Sequence, residues 1–199
     1  MWEQIIFGAA LYAVFSCTEY AVHRYLMHGS DNALADNHWT HHEHTMGDMQ
    51  LRHSEKYNSH VNKYLGLYFT WTYTCIIFTV GLAEAFVLRY ALFGIVSPRA
   101  VVLWVAAFSV YQSSFWNTLH PDIHGIKEPI GWSDGVPGSE VWRELFSAIS
   151  FGDDEKGEQR YNAYEWLKKN HVKHHAVKGA DKGHYNVTLP GADWVFGTM

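Results

Sequence analysis

The chain has little cysteine, no cluster of basic residues and no internal repeat. Its two cysteines, Cys17 and Cys75, lie in apolar stretches, which indicates buried thiols rather than a disulfide, and no cysteine motif typical of a zinc finger occurs. The formal net charge is −5 and the 15 Lys and Arg residues are scattered, which argues against nucleic acid as a partner. The 199 residues are enough for a single domain with a sizeable core, and we assign 1–199 to it.

Histidine is the residue in excess. The chain has 14 histidines, almost as many as Lys and Arg together, and histidine is the commonest metal ligand in proteins. Ten of them fall into four clusters, which are His23 with His28; His38, His41 and His42; His120 with His124; and His171, His174 and His175. We expect His44, His53 and His60, which follow no ligand spacing, at the surface or beside the ligands.

Two clusters have the pattern His-x-x-His-His, at residues 38–42 and 171–175. Successive residues of an α-helix are about 100° apart, so positions i, i+3 and i+4 share one face. Each block therefore predicts three imidazoles directed at one region. A solvated helix face that carries three histidines is the alternative.

The two looser pairs require a change in the backbone. His23 and His28 are about 140° apart on an α-helix, so they can face one centre only if the helix ends between them, beside Gly29. In the other pair, Pro121 disfavours the α conformation of His120, which predicts a helix break there.

Apolar residues are concentrated in blocks, although the mean hydropathy is only −0.18. Three segments, at about residues 2–28, 64–93 and 99–120, are long enough to cross a bilayer core of about 30 Å. The first segment lacks the basic start and the cleavage site of a signal peptide, so we expect it to remain in the protein. The other two predict a hairpin with its tip, marked by Glu84, at the far membrane face. All four histidine clusters then gather at the near face.

The basic residues lie on the histidine side, with four in residues 24–63 and nine in residues 121–199. The positive-inside rule makes that side cytoplasmic. The predicted fold class is all-α, an integral-membrane helical bundle of three spans, with a fourth left open, capped by a cytosolic helical di-metal domain. A soluble all-helical protein with two buried core helices is the alternative. Apolar residues at helical spacing within 139–151 predict a helix lying flat on the membrane.

The number of histidines suggests two metal ions. Transition-metal sites take about four to six ligands, so two ions with five ligands each account for all ten clustered histidines. Imidazole suits zinc, copper, iron and nickel alike. A metal centre beside an apolar bundle suggests chemistry on a lipid, and an inert hydrocarbon requires activated oxygen, which iron supplies and zinc does not.

In this order, and interleaved with apolar segments, the clusters resemble the fatty acid hydroxylase / sterol desaturase superfamily of integral-membrane di-iron oxygenases. The end of the chain is similar to the end of that domain, and the resemblance extends from about Glu19 to Thr198. The matching motifs are His23-x4-His28, His38-x2-His41-His42, His120-x3-His124, His171-x2-His174-His175 and the tail Asn186…Pro190-Gly191-Ala192-Asp193…Phe196-Gly197-Thr198.

The resemblance implies a four-helix-type membrane bundle whose ten clustered histidines hold two iron ions at the cytoplasmic side. It implies O2-dependent hydroxylation of a lipid C–H bond, most simply on a fatty acyl chain, with electrons from an external cytochrome b5 or ferredoxin-type donor. Zinc is a further candidate occupant of the purified protein, and a eukaryotic host would place the protein in the endoplasmic reticulum membrane. Three alternatives stay open: a sterol or carotenoid oxygenase or desaturase, a membrane metal-binding or transport protein, and a catalytically inactive relative.

Four polar residues near the clusters are candidates for supporting roles. Glu19, one turn before His23, is expected to accept a hydrogen bond from that imidazole, with an interfacial carboxylate as the alternative. Asn186 and Asp193 are expected either to hydrogen-bond to the ligands or to cap a loop. His184 is expected to bind metal or to support a ligand.

Overall fold

The computed structural model describes residues 2–29, 31–50, 71–125, 139–153, 160–176 and 183–199. Within them the regular secondary structure is helical apart from one short antiparallel pair of strands, which the sequence does not predict. The elements are α1 (Trp2–Ala21) with a π-helical continuation (Val22–Met27), α2 (Ala33–His44), α3 (Trp71–Leu92), α4 (Pro98–Ser114) with a π-helical continuation (Phe115–Leu119), α5 (His120–Ile123), α6 (Ser139–Ala148), β1 (Ser150–Asp153), β2 (Arg160–Asn162), α7 (Ala163–Ala176) and α8 (Ala192–Val195).

Helices α1, α3 and α4 pack around an apolar core. Phe7 contacts Phe93, just beyond the end of α3, whereas Phe15 lies against Gly81 within α3, so these two helices are antiparallel. Phe15 also contacts Phe108 of α4, edge to face, with ring centroids 5.3 Å apart. Helix α1 therefore closes over the α3–α4 hairpin, which is the arrangement that gathers the histidine clusters at one end.

A close approach of α1 to α4 depends on a residue without a side chain. A Cβ atom on Gly8 would lie 2.7 Å from the indole ring of Trp104, closer than side-chain atoms pack. Small residues allow such contacts between apolar helices.

Two described helices are long and apolar enough to cross a membrane, by length and composition. They are Trp2–Met27 and Thr72–Leu92, which match the first predicted span and most of the second. Residues 64–70 of the second predicted span lie outside the described residues. The third is represented by α4, of 17 residues, and its π-helical continuation. The fold is thus confirmed as helical with two such helices, and the full number of spans stays a prediction.

The expectation of buried thiols is wrong. Cys17 and Cys75 are both free, as predicted, but both are exposed. Cys17 follows the buried Ser16, and neighbouring positions on an α-helix point in directions about 100° apart. An apolar helix that is covered on one side only exposes such a residue, so the apolar stretch does not imply burial.

The C-terminal segment, residues 183–199, packs along the second half of α1. The Tyr12 hydroxyl donates a hydrogen bond to the carbonyl of Pro190 at 2.7 Å, and the Ser16 hydroxyl donates to that of Leu189 at 2.7 Å. This segment, called the tail below, carries the backbone past the histidine end of α1.

The apolar side chains of helix α6 and of Ile149 just beyond it lie along one face, and the rest of the protein covers only part of that face. Trp142 and Phe146 pack near Tyr111 and Phe115. Leu145 and Ile149 remain about half exposed. The predicted contact of this segment with a membrane surface stays a prediction.

Candidate metal centre

The ten clustered histidines converge, as predicted, and they form two groups. The first histidine group consists of His23, His28, His38, His42 and His174. The second contains His41, His120, His124 and His171, and within each of these two sets the candidate ligand atoms lie within 4.8 Å of one another. His175 adds a fifth member to the second group, because its Nε2 lies 3.1 Å from Nε2 of His171 and its ring 4.8 Å from that of His41.

Each His-x-x-His-His block contributes to both groups. In α2, His38 and His42 belong to the first group and His41 to the second. In α7 the assignment is reversed, because His174 belongs to the first group, whereas His171 and His175 lie in the second. Adjacent positions on a helix differ by about 100°, so one helix can supply both groups when it lies beside them.

His23 and His28 meet by a device that the sequence does not predict. The helix does not end between them, and instead it widens into the π-helical turn Val22–Met27, in which His28 N donates to His23 O at 3.2 Å. A π-helix bonds residue i to i+5, so residues five apart come onto one face. The two rings stack with centroids 5.1 Å apart.

His120 and His124 also lie on continuous helical backbone, so the predicted break at His120 is wrong. His120 has φ −62° and ψ −48°, and Pro121 occupies the start of the short helix α5. Proline is tolerated there because its missing N–H is not required in a first turn. The preceding π-helical turn, Phe115–Leu119, leads α4 into this helix.

Backbone carbonyl groups orient three of the rings through Nδ1. His23 Nδ1 lies 2.6 Å from the carbonyl oxygen of Tyr185, and His174 Nδ1 lies 2.9 Å from that of Gly183. His124 Nδ1 lies 2.8 Å from the carbonyl oxygen of Met49. A carbonyl only accepts, so Nδ1 carries the proton and the neutral ring directs the lone pair of Nε2 into its group. This is the tautomer that a metal ligand requires.

His41 gives the clearest test of whether a metal fits. Its side chain is 1% exposed, and neither ring nitrogen has a hydrogen-bond partner within the described part of the chain. Burying an unpaired polar nitrogen is costly, and its cost is removed if Nε2 binds a cation. The residues present therefore fit a metal ion in the second group.

The nitrogen–nitrogen distances carry information on coordination. The closest Nε2 pairs are 2.9–3.1 Å apart in the first group and 3.0–3.1 Å apart in the second. Two nitrogens about 2.1 Å from one ion subtend about 90° at a spacing near 3.0 Å, whereas a tetrahedral ion would separate them by about 3.4 Å. The spacing thus suits a five- or six-coordinate ion better than tetrahedral zinc.

Burial keeps these imidazoles neutral. Desolvation, followed by the charge of neighbouring imidazoles, lowers the pKa of His38, His41 and His171 well below the ordinary value. Desolvation likewise lowers the pKa of His174, and it lowers the pKa of His124 to about 4. The rings are therefore deprotonated at neutral pH, ready to bind a cation without first losing a proton.

The predicted hydrogen bond between Glu19 and His23 is absent, because Glu19 accepts from other groups. Its Oε1 accepts from the backbone N–H and the hydroxyl of Thr188, at 2.8 and 2.7 Å, and its Oε2 accepts from the N–H of Leu189 at 2.8 Å. His23 pairs with the Tyr185 carbonyl instead. Glu19 thus fixes the tail, and the tail in turn fixes His23.

Asn186 and Asp193 cap the loop of the tail. Asp193 accepts from the N–H groups of Tyr185 and Asn186 at 2.9 and 2.7 Å, and Asn186 Oδ1 accepts from the N–H of Asp193 at 2.9 Å. The Asn186 amide also donates to Glu19 Oε2 at 3.2 Å. The loop-capping role is therefore present, and through Tyr185 it also supports the first histidine group.

His184 lies outside both histidine groups. Its Nδ1 lies 2.6 Å from Oδ1 of Asn170, which in turn donates through Nδ2 to the carbonyl of Asn186 at 3.0 Å. His184 therefore anchors the tail to α7 at Asn170, the residue directly before His171. Among the other histidines, His53 and His60 lie outside the described residues.

A cavity of about 350 Å³ lies beside the first histidine group, between α1, α3 and α4. Apolar side chains of the two candidate spans form most of its wall, and His23 and Trp116 are part of the lining. A molecule in this cavity would contact the centre from the side of the apolar helices.

Several residues that build the site carry no sequence signal. Gly183, Tyr185 and Met49 act through backbone carbonyls, which every residue type possesses. Asp122 lies between two histidines of the third cluster, and it accepts from the Tyr164 hydroxyl at 2.9 Å, which ties α5 to α7. Its position within the cluster is the only hint of this role.

No family model, curated protein or solved structure matches this chain. Membership of the fatty acid hydroxylase / sterol desaturase superfamily therefore stays a prediction, and the interpretation of the centre depends on its own geometry.

Proposed function

We propose that this protein is a membrane-embedded di-iron oxygenase of the fatty acid hydroxylase / sterol desaturase type. Its substrate would be a lipid, most simply a fatty acyl chain, hydroxylated at a C–H bond. The observation that carries the proposal is the division of ten histidines, nearly all buried, into two groups of five. A structural role would not require ten imidazoles gathered in this way, with most of them buried and with His41 lacking a hydrogen-bond partner among the described residues.

The coordination set favours iron. Five imidazoles with Nε2 spacings near 3.0 Å suit a five- or six-coordinate ion. If the ion is six-coordinate, the five imidazoles leave one coordination position open for O2 or water. Bound iron would supply the activation of O2 needed to oxidise an unactivated C–H bond. The protein contributes neutral ligands, fixed tautomers and a surround of aromatic rings, including Trp116 at 4.2 Å from His120, that excludes water.

The exposed surface supports a membrane location. Only 11% of the candidate span Thr72–Leu92 is buried, whereas a core helix of a soluble protein would be mostly buried. Val87 is 69% exposed and Leu103, on α4, is 64% exposed. Lipid would cover these side chains without cost. We include α4 and its continuation as the third span.

The proposed orientation puts both histidine groups at the cytoplasmic side, following the distribution of Lys and Arg. In a eukaryotic cell this would be the endoplasmic reticulum membrane. Hydroxylation inserts one oxygen atom of O2 into the lipid and releases the other as water, so a pair of electrons and a pair of protons must be delivered. We assign the electrons to an external cytochrome b5 or ferredoxin-type protein.

The test combines metal content and lipid analysis of the full chain. The purified protein, reconstituted with Fe(II) under anaerobic conditions, should hold about two ions per chain. Cells that supply a cytochrome b5 or ferredoxin system should gain hydroxylated lipids when they express it. His174→Ala should abolish that product, whereas His44→Ala, which changes a histidine of α2 outside both groups, should not.

Unchanged lipids in cells that hold iron-loaded protein and a working electron donor would contradict the proposal. Oxidised sterols or carotenoids in place of hydroxylated acyl chains would keep the oxygenase and change its substrate. Metal uptake into sealed vesicles would favour transport, although transporters place their ionisable ligands within the spans.

A further inference from the structure

Glu84 occupies an unexpected place in the molecule. The sequence predicts it as a marker of the hairpin tip, but it lies within α3 and lines the cavity beside the first histidine group. Thr18 of α1 lines the same cavity. An ionisable side chain inside a membrane-spanning helix is costly and is generally retained for a function.

The carboxyl group of Glu84 is only partly satisfied by the protein. The Thr18 hydroxyl donates to Oε1 at 2.5 Å, and Oε2 has no hydrogen-bond partner among the described residues. The side chain is about half-buried, in a wall formed mostly by apolar groups. One acceptor oxygen is therefore left for a ligand.

The cavity is accessible from the surface of the apolar helices. Leu26, Ile76 and Val80 line it and are 48%, 52% and 44% exposed, respectively. Side chains that belong both to a cavity wall and to the outer surface mark an opening. A molecule can therefore enter sideways from a bilayer around the bundle.

The carboxyl group and the histidines are close enough to contact one molecule. Thr18 on α1 and His23 in its π-helical continuation are five residues apart, a rise of about 7.5 Å along the helix. Both line the same cavity of about 350 Å³. A ligand that hydrogen-bonds to Glu84 can thus extend along apolar side chains to the ring of His23.

We propose that the Glu84–Thr18 pair binds a hydroxyl group carried by an otherwise apolar, uncharged lipid. The hydroxyl donates to the free carboxyl oxygen, and its hydrocarbon part fills the apolar cavity toward His23. An anionic headgroup is disfavoured because a charge is costly to bury in a cavity with mostly apolar walls. A plain hydrocarbon gains no hydrogen bond. The site would define the substrate class of the oxygenase proposed above, and to that extent it rests on that proposal.

Binding can be measured without turnover. The probes are hexadecanol and hexadecane, each labelled with a terminal bromine that quenches indole fluorescence on contact. The full chain is held in phosphatidylcholine nanodiscs without reductant, and Trp116→Phe identifies the part of the quenching that comes from the cavity. We expect wild-type protein to bind the alcohol about tenfold more tightly than the hydrocarbon.

Glu84→Leu should abolish this preference, and Glu84→Gln, which keeps a carbonyl acceptor, should retain part of it. Thr79→Val changes a hydroxyl of α3 that donates to the carbonyl of Cys75 and lies outside the cavity lining, so it should keep the tenfold difference. Metal content and the thermal unfolding midpoint report whether each variant is folded.

Equal affinity of the two probes for wild-type protein would overturn the inference, as would an unchanged preference in Glu84→Leu. If either result is obtained while lipid hydroxylation is still observed in cells, the hydroxyl-binding site is ruled out and the oxygenase proposal stands. If the protein clearly prefers the alcohol to the hydrocarbon but hydroxylates no lipid, the hydroxyl-binding site is supported and the oxygenase proposal is ruled out.

Discussion

The rings of His42 and His175 pack against each other across the boundary between the two histidine groups, with centroids 4.2 Å apart and planes inclined by 33°. They come from different blocks, His42 from α2 in the first group and His175 from α7 in the second. The two groups are therefore neighbours within one centre, and each His-x-x-His-His block supplies histidines to both groups. This arrangement makes the assignment of individual histidines testable.

Double variants of α2 should separate the groups. His41→Ala with His42→Ala removes one ligand from each group, whereas His38→Ala with His42→Ala removes two ligands from the first group alone. We expect the former to weaken binding of both ions and the latter to leave about one tightly held ion per chain. Metal analysis after dialysis against a weak chelator distinguishes them. Equal losses in the two double variants would contradict the division into groups.

Asp193→Ala should affect the first group selectively. It removes the acceptor for the N–H groups of Tyr185 and Asn186, so the carbonyl that orients His23 loses its support. We expect a loss of about 2–4 kcal/mol in the free energy of unfolding, because a buried charged acceptor is removed from its donors.

The same variant should reduce the affinity of the first group for metal about ten- to hundredfold, the usual effect of a lost hydrogen bond behind a ligand. Competitive metal titration with a coloured chelator measures both affinities. Asp36→Ala, at an exposed position of α2, serves as the control. Equal weakening of both ions would mean that the tail does not act through His23.

The metal-free protein should lose stability on acidification. Burial lowers the pKa of His124 to about 4 and also lowers that of His41 well below its ordinary value, whereas an unfolded histidine has a pKa of about 6.5. Below pH 6.5 the unfolded chain thus binds protons that the folded chain does not, so stability is present above this pH and falls below it. The slope reaches up to about 1.4 kcal/mol per pH unit for each such histidine.

Chemical unfolding of chelator-treated protein in detergent, between pH 7.5 and pH 5, measures this dependence. The midpoint should decrease steadily once the pH falls below about 6.5. Bound metal should raise the midpoint throughout this range, because the ion stabilises the folded state, but the decrease below about pH 6.5 should remain, since the unfolded chain still takes up protons. A midpoint independent of pH in the metal-free protein would show that these imidazoles are not buried as neutral groups.

A charge on the apolar surface should impair membrane insertion. Val87→Asp puts a carboxylate on an exposed position in the last third of α3, and a charge costs up to about 2.5–3.5 kcal/mol for insertion, the value at the centre of a span. Ala33→Asp, exposed at the start of α2, adds the same charge where the helix dipole favours it. The membrane fraction after alkaline extraction should fall for the first variant alone. A soluble, monodisperse wild-type protein in the absence of detergent would contradict the membrane location.

Gly8→Ala should separate α1 from α4. The added methyl group would lie 2.7 Å from the Trp104 ring, so the helices must shift or the indole must turn, at a cost of about 1–3 kcal/mol. Gly94→Ala, whose Cβ atom would have no neighbour within 4 Å, is the matched control. Thermal unfolding in detergent compares the two, and equal midpoints would argue against this close contact.

The sequence predicts the histidine centre better than its supports. Spacing and number identified all ten histidines, since these residues have the ligand atoms themselves and few other uses at such density. Supports such as the carbonyl of Tyr185 have no residue-specific signal, because any residue at that position would offer the same oxygen. The place of Glu84 depends on how α1 and α3 cross, and local sequence does not contain that information.

Two pairs of histidines have different spacings in the sequence. His23 and His28 are five residues apart, whereas His120 and His124 are four residues apart. In the folded chain they are geometrical equivalents, because the first is wound with i to i+5 bonding and the second with i to i+4 bonding. Spacing between histidines therefore measures local winding as much as ligand geometry. A pattern search with rigid gap lengths would separate chains whose imidazoles occupy the same positions, and a gap that varies by one residue is the safer criterion.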